Sequence, residues 1–220
     1  MKRNGIATDK MSVREAPAAY GLRHRIKRMT EVEFVEWYSH QPELKAEWSN
    51  GRVSIHMPES DKHNGIKLLV TQLFGLFIVT RALGRTFIDG MQIRLPFPCR
   101  REPDLFFVAK ERLEIIKRTC VEGPPDLALE VVSPDDPDRD YEEKFKEYEH
   151  GGVREYWLID PLAKVVFVYV LDRNGKYKRV PPSQGKYRSR VLRGFFLREE
   201  WLWNAPEMNP LALLDEMKSN

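Results

Sequence analysis

The hydrophobic positions along the chain change period several times, and each change marks an element. Thr30-Glu31-Val32-Glu33 has capping-box spacing and predicts a helix with Phe34, Val35 and Tyr38 on one side. Glu47 to Ile55 reads as a hairpin around Asn50-Gly51, a pair that accepts the positive φ angles of a type I′ turn, with Pro58 ending it. After the capping residues of Asp61 to Asn64, apolar residues recur at helical spacing: Ile66, Leu69, Val70, Leu73, Phe74, Phe77 and Ile78. They predict a long helix to Leu83, with Gly84 as its C′ residue.

Beyond Gly84 the period falls to two. Thr86 to Leu95, with Phe87, Met91, Ile93 and Leu95, predicts one strand. Asp104 to Val108 is continuously apolar after its acid and predicts a strand buried on both faces. Lys110 to Arg118 reads as a short surface helix, and Gly123-Pro124-Pro125 separates it from a strand over Leu127 to Val132. Helical spacing returns from Asp138 to His150, with Tyr141, Phe145 and Tyr148 on one face and Gly151-Gly152 as the stop. Val153 to Ile159 and Val165 to Leu171 are strands across Asp160-Pro161; Asn174-Gly175 marks a turn. Val191 to Leu197 reads as a last strand and Leu211 to Met217 as a terminal helix. A helix between the strands Leu127 to Val132 and Val153 to Ile159 predicts that those two run parallel, joined by a right-handed crossover. The expected fold is α/β: a mixed sheet flanked by helices, preceded by an added helix and hairpin.

Composition adjusts this picture in few places. The 220 residues, 42% hydrophobic and 31% charged, suit one globular domain over residues 29–220. The net charge of +3 is no strong basic field, but residues 1–28 hold eight of the lysines and arginines against Asp9 and Glu15. That arm is read as a flexible basic leader, with phosphate binding as the alternative. It lacks the apolar run of a signal peptide, and polar residues interrupt Ile66 to Leu83, so no membrane partner is expected. Cys99 and Cys120 have neither metal-site nor disulfide-framework spacing, and a reducing, cytoplasmic setting follows as the expectation.

The chemistry concentrates between Pro103 and Lys144. Asp104 and Glu130 are acids in otherwise oily strands, where a charge is costly unless paired or bound to a cation. If the strands are neighbours, the two carboxylates converge as hard oxygen ligands for Mg²⁺ or Mn²⁺. Such a cation activates water and neutralises charge on a phosphate under in-line attack. Lys144 is the lysine expected to serve the site from the border of its helix's buried face, with Asp140 one turn before it. Read alone, Asp140 and Lys144 are a surface ion pair. Ser133 reads as a cap for the turn after Glu130, and Tyr156 and Trp157 as core.

Four runs of residues resemble a known family. They are Glu102-Pro103-Asp104-Leu105, then Pro125-Asp126-Leu127-Ala128-Leu129-Glu130-Val131-Val132-Ser133-Pro134, then Asp140-Tyr141-Glu142-Glu143-Lys144, then Tyr148 to Pro161. Together they resemble a family of bacterial restriction-endonuclease-like proteins, long carried as a domain of unknown function, within the PD-(D/E)XK nuclease superfamily. The likeness runs from about Thr30 to about Leu197 and implies a restriction-endonuclease-like αβββαβ core. It also implies a Mg²⁺- or Mn²⁺-dependent endonuclease acting on nucleic acid, double-stranded DNA first among the candidates; the sequence is silent on oligomeric state, although cutting both strands usually needs two active sites and hence often a homodimer.

Carried over by residue, Asp104 matches the aspartate of the Pro-Asp motif and Glu130 the acid of the (D/E)XK motif. Val132 stands where that motif has its lysine, and Lys144 on the next helix matches the position to which the family moves the function. Glu47 matches an acidic position before the hairpin turn, its alternative being a solvent-facing glutamate. His63 matches a histidine at the start of the long helix, where a helix cap is the simpler reading. Arg100 and Arg101 are loop charges placed to clamp phosphate. Two other functions stay open: a catalytically weak or inactive nucleic-acid-binding module on the nuclease fold, and a metal phosphohydrolase acting on small phosphate esters.

Overall fold

The computed structural model describes residues 28–41, 44–55, 61–133 and 136–218. Pro58, Pro134 and all of the basic leader except Arg28 lie outside them.

Helix α1, Glu31–Ser39, starts on the expected capping box: the Thr30 side chain accepts from the Glu33 N–H, and the Glu33 carboxylate accepts from Thr30 N. Its buried residue is Phe34, with Trp37 and Tyr38 half-buried beside it; Val35, expected on that face, is exposed. Strands β1, Ala46–Ser49, and β2, Arg52–Ile55, form the predicted hairpin, with Asn50 and Gly51 both at positive φ.

Helix α2, Asp61–Val79, ends earlier than expected, and Gly84 does not cap it. Gly84 opens strand β3, Gly84–Ile88, at φ +150°, where a Cβ would lie 2.2 Å from the Val108 carbonyl oxygen. The glycine is there because two backbones approach closely, which no periodicity reveals.

The single strand expected over Thr86 to Leu95 divides at Asp89-Gly90. Strand β4, Gln92–Arg94, joins a different sheet from β3. It is followed by β5, Cys99–Arg101, then β6, Leu105–Ala109, a 3₁₀ turn at Lys110–Ile115, and β7, Cys120–Glu122. Strand β8, Leu127–Val131, leads to a π-helical turn, Arg139–Lys144, that continues into α3, Phe145–Gly151. Gly152 closes α3 at φ +85°. Next come β9, Glu155–Asp160, β10, Val165–Leu171, β11, Tyr177–Arg179, and a small pair β12, Tyr187–Arg188, with β13, Phe196–Leu197. The expected strand Val191 to Leu197 shrinks to β13, and α4, Glu199–Trp203, and α5, Pro210–Lys218, complete the chain.

The main sheet has strand order β11-β10-β9-β8-β6-β3. Strands β8 and β9 are parallel, as the intervening helix required, and the other pairs are antiparallel. One face, through Leu105, Phe107, Leu127, Leu129 and Trp157, packs on α2, α4 and α5, with Phe195 from the loop before β13 between Phe74 and Trp157. The other carries Phe106, Val108, Ala128, Tyr156 and Leu158 and meets α3 and the second sheet, β2-β1-β5-β4-β7. Strands β6 and β8 are thus covered on both sides, which explains their unbroken apolar runs. The series α2-β3-β6-β8-α3-β9 is the expected αβββαβ core. Among the described residues no helix is long and apolar enough to cross a membrane.

Candidate active site

The register of β6 on β8 pairs Leu105 with Leu129, so one step further along positions 104 and 130 stand opposite each other. Side chains alternate along a strand, so both acids share the face of Phe106 and Ala128. That face lies under the turn Arg139–Lys144 and α3. Asp104 is 4% exposed and Glu130 1%.

A π turn is wider than an α turn, and the deeply buried line across this one is Asp140, Lys144, Tyr148 rather than the predicted Tyr141, Phe145, Tyr148. Tyr141 and Phe145 are half-buried, edge-on to Phe167 and Tyr169. The Lys144 ammonium enters the carboxylate cluster, with Nζ 2.8 Å from Glu130 Oε2, 3.1 Å from Asp140 Oδ1 and 3.6 Å from Glu47 Oε1. Asp140 and Lys144 are therefore a buried pair, not the surface pair that the helix spacing alone allows. Val132 at the vacated motif position is buried in the apolar cluster beside Tyr148.

Glu47 is fully buried rather than solvent-facing. Its Oε1 accepts from the Glu102 N–H at 2.9 Å and its Oε2 from Arg101 at 3.0 Å. Arg101 and Arg100 are not loop charges: both lie on β5. Arg101 is buried and spans Glu47, Glu147 (2.5 Å) and Glu143 (3.6 Å), while Arg100 Nε donates to Glu31 at 2.7 Å. His63 lies within the first turn of α2 with Nε2 3.7 Å from Asp104 Oδ2, so it faces the cluster.

Sequence reasoning missed several members. Lys45 donates to Asp104 Oδ1 at 2.8 Å and to Asp89 Oδ1 at 2.7 Å. Its spacing of two from Glu47 was the available signal. The Tyr148 hydroxyl donates to Glu130 Oε1 at 2.7 Å, and the Val131 N–H to Asp104 Oδ2 at 2.8 Å. Tyr156 and Trp157 are core, although the Tyr156 hydroxyl also donates to the Asp140 carbonyl at 3.0 Å.

The two central acids are driven in opposite directions. Burial would raise the Asp104 carboxyl, but Lys45, Lys144 and His63 outweigh it and hold the group well below the usual carboxylate range. Burial raises Glu130, and the Asp104, Asp140 and Glu47 carboxylates add to it beyond what Lys144 offsets; its pKa is pushed up to about 8. Burial works against the Lys144 ammonium, yet Asp140, Glu130 and Glu47 together raise its pKa. Burial and the Glu130 carboxylate raise the Tyr148 hydroxyl, keeping it a donor. Two neighbouring titratable groups pushed apart in this way are the usual mark of a working site.

The donor set is hard oxygen in excess. Four buried carboxylates, Glu47, Asp104, Glu130 and Asp140, gather around Lys144 and Lys45, and Asp140 Oδ1 accepts no well-aligned hydrogen bond beside its 3.1 Å ion pair with Lys144. Among the described residues no group of three or more His, Cys, Asp or Glu side chains is placed to hold a metal ion as it stands, and all four oxygens of Asp104 and Glu130 meet protein donors. In donor chemistry the residues fit a small divalent cation of the kind that takes one or two carboxylates and completes its shell with water and phosphate.

Comparison with known proteins agrees with this architecture. No match was found among curated proteins. A solved structure described as a putative nuclease belonging to DUF820, from Anabaena variabilis ATCC 29413, superposes with a TM-score of 0.69 at 18% identity, covering 80% of this chain and 98% of that one. At that identity the likeness is one of fold. The sequence model of the family described as "Uma2: Putative restriction endonuclease" matches residues 32–198, a span that holds Glu47, Asp104, Glu130 and Lys144, and the chain belongs to that family.

Proposed function

We propose that this protein is a metal-dependent endonuclease that hydrolyses phosphodiester bonds in DNA. The observation that carries this reading is the buried pair Asp104 and Glu130 on adjacent strands, with Glu47 and Asp140 beside them and with Lys144, Lys45 and Arg101 as the cations that pair with the four. A fold does not retain so many buried acids for stability, because each costs several kcal/mol unless a cation satisfies it. Asp104 and Glu130 would hold Mg²⁺ or Mn²⁺. When bound there, the cation supplies Lewis-acid polarisation of the phosphoryl group and activation of water.

The protein's own groups then have separate tasks. Lys144 draws Glu130, Asp140 and Glu47 together and balances part of their charge. Tyr148 fixes one oxygen of Glu130, and the Val131 N–H fixes one oxygen of Asp104. Arg101 anchors Glu47 from behind. A homodimer would place two such sites on the two strands of a duplex.

One observation favours a second reading, a DNA-binding module without turnover: Val132 replaces the motif lysine, and Lys144 is enclosed by three carboxylates. Plasmid nicking with Mg²⁺ or Mn²⁺ separates the two. Cleavage by the wild type that falls about 100-fold or more in Glu130→Ala and in Lys144→Ala supports the endonuclease. Cleavage unchanged in both variants removes this site from the mechanism, and salt-dependent DNA binding without any cleavage favours the second reading.

A further inference from the structure

Lys144 holds its carboxylates, but it is badly placed to meet a substrate. Its side chain is 2% exposed, and its ammonium is turned toward Glu130, Asp140 and Glu47. A scissile phosphate approaching this cluster still needs a positive group, because four carboxylates repel it. Lys45 is placed differently. It touches Asp104 Oδ1 from the other side at 2.8 Å, its side chain is 19% exposed, and it lines a cavity of about 700 Å³.

The cavity runs between α1 and the turn Asp89-Gly90. Tyr38 forms a rigid wall, its ring stacked on Phe34 at 5.5 Å and its hydroxyl bonded to Glu102 at 2.8 Å; Met91 also lines it. Its volume is in the range of about 300–1,000 Å³ usual for small-ligand sites, and an aromatic wall with a thioether suits a nucleobase face. Among its charged lining residues Lys45, Arg100 and Arg118 outnumber Asp89 and Glu102. Asp89 is shared by Lys45 at 2.7 Å and Lys67 at 2.6 Å, and Arg118 is exposed among the lining residues. Lys45 is the lining residue that bonds a carboxylate of the cluster, and it can release Asp104 while Asp89 still balances its charge.

We propose that the substrate strand reaches the carboxylates through this cavity, with one nucleoside against Tyr38 and Met91, and that Lys45 is the lysine that contacts the scissile phosphate. Lys144 is then a positioning residue. This inference rests on the endonuclease reading and assigns the substrate subsite within it.

The test is nicking of supercoiled plasmid with Mn²⁺ over a range of DNA concentrations. Lys45→Met is expected to lower kcat about 100-fold or more, the usual loss when one charge-stabilising donor is removed, and Lys45→Arg to restore part of it. Arg118→Glu, an exposed change that leaves the fold alone, is expected to raise KM about tenfold with kcat kept, as for loss of a phosphate-steering charge. Thermal unfolding of Lys45→Met followed by circular dichroism establishes that the variant is folded; the Arg118→Glu result stands without it. A folded Lys45→Met with kcat within threefold of wild type, or an unchanged KM in Arg118→Glu, overturns the inference and leaves the endonuclease reading standing. No cleavage by the wild type overturns both.

Discussion

Glu130 ties metal binding to pH in a way that can be worked out beforehand. Burial and its carboxylate neighbours push its pKa to about 8, so the group carries its proton through most of the neutral range. A hard cation binds the carboxylate and not the acid, so binding must expel that proton below about pH 8. For one such group the apparent association constant is the limiting one divided by 1 + 10^(pKa − pH). With the pKa near 8, affinity is reduced about 100-fold at pH 6, about 11-fold at pH 7 and about 2-fold at pH 8, and hardly at all at pH 9. The rise from pH 6 to pH 9 is thus about 90-fold, or roughly 2.7 kcal/mol of metal-binding free energy. An ordinary glutamate, with its pKa near 4.3, would give no dependence over that range. The assay is isothermal titration of Mn²⁺ at several pH values, each in two buffers of different ionisation enthalpy, which counts protons released: about one per ion at pH 6 and about half at pH 8. Glu130→Gln should bind more weakly, with a flat profile. A wild-type affinity constant within threefold from pH 6 to pH 9 would refute the reasoning, because Glu130 would then be either no ligand or already ionised.

Two further predictions concern the scaffold. Arg101→Met leaves Glu47 and Glu147 buried or half-buried without their guanidinium and should cost about 3–5 kcal/mol in urea unfolding; adding Glu47→Gln should recover a good part of that loss, and strictly additive effects would contradict the pairing. Gly84→Ala places a Cβ 2.2 Å from the Val108 carbonyl oxygen at φ +150° and should destabilise by more than about 2 kcal/mol, read as a lowered melting temperature; an unchanged melting temperature would mean that β3 and β6 separate at no cost.

Where side-chain period and turn chemistry are local, the sequence alone carried the reading. The capping box at Thr30, the Asn50-Gly51 turn, the body of α2, the parallel β8–β9 pair and the αβββαβ order each depend on residues within one or two elements. Two of the candidate acids were legible for the same reason: Asp104 and Glu130 interrupt apolar runs. Other features were hidden because they depend on which elements meet. Thr86 to Leu95 keeps its alternation while its two halves enter different sheets, and Gly84 answers to the backbone of β6 rather than to the helix before it. Glu47 and Arg100–Arg101 looked like surface or loop charges until β1 and β5 paired. Asp140 and Lys144 looked like a surface pair until the π turn aimed them inward.

Two acids in buried strands and a lysine on the following helix are written in the local pattern of residues. How these groups are charged and what they face depends on the packing of distant elements. The neighbours come from two separate parts of the chain, Lys45 and Glu47 at β1 and Asp140 and Lys144 on the π turn, and with burial their combined field holds the Asp104 carboxyl low and pushes Glu130 up. Electrostatic energies sum over distance in space rather than along the chain, so no local pattern could have predicted them.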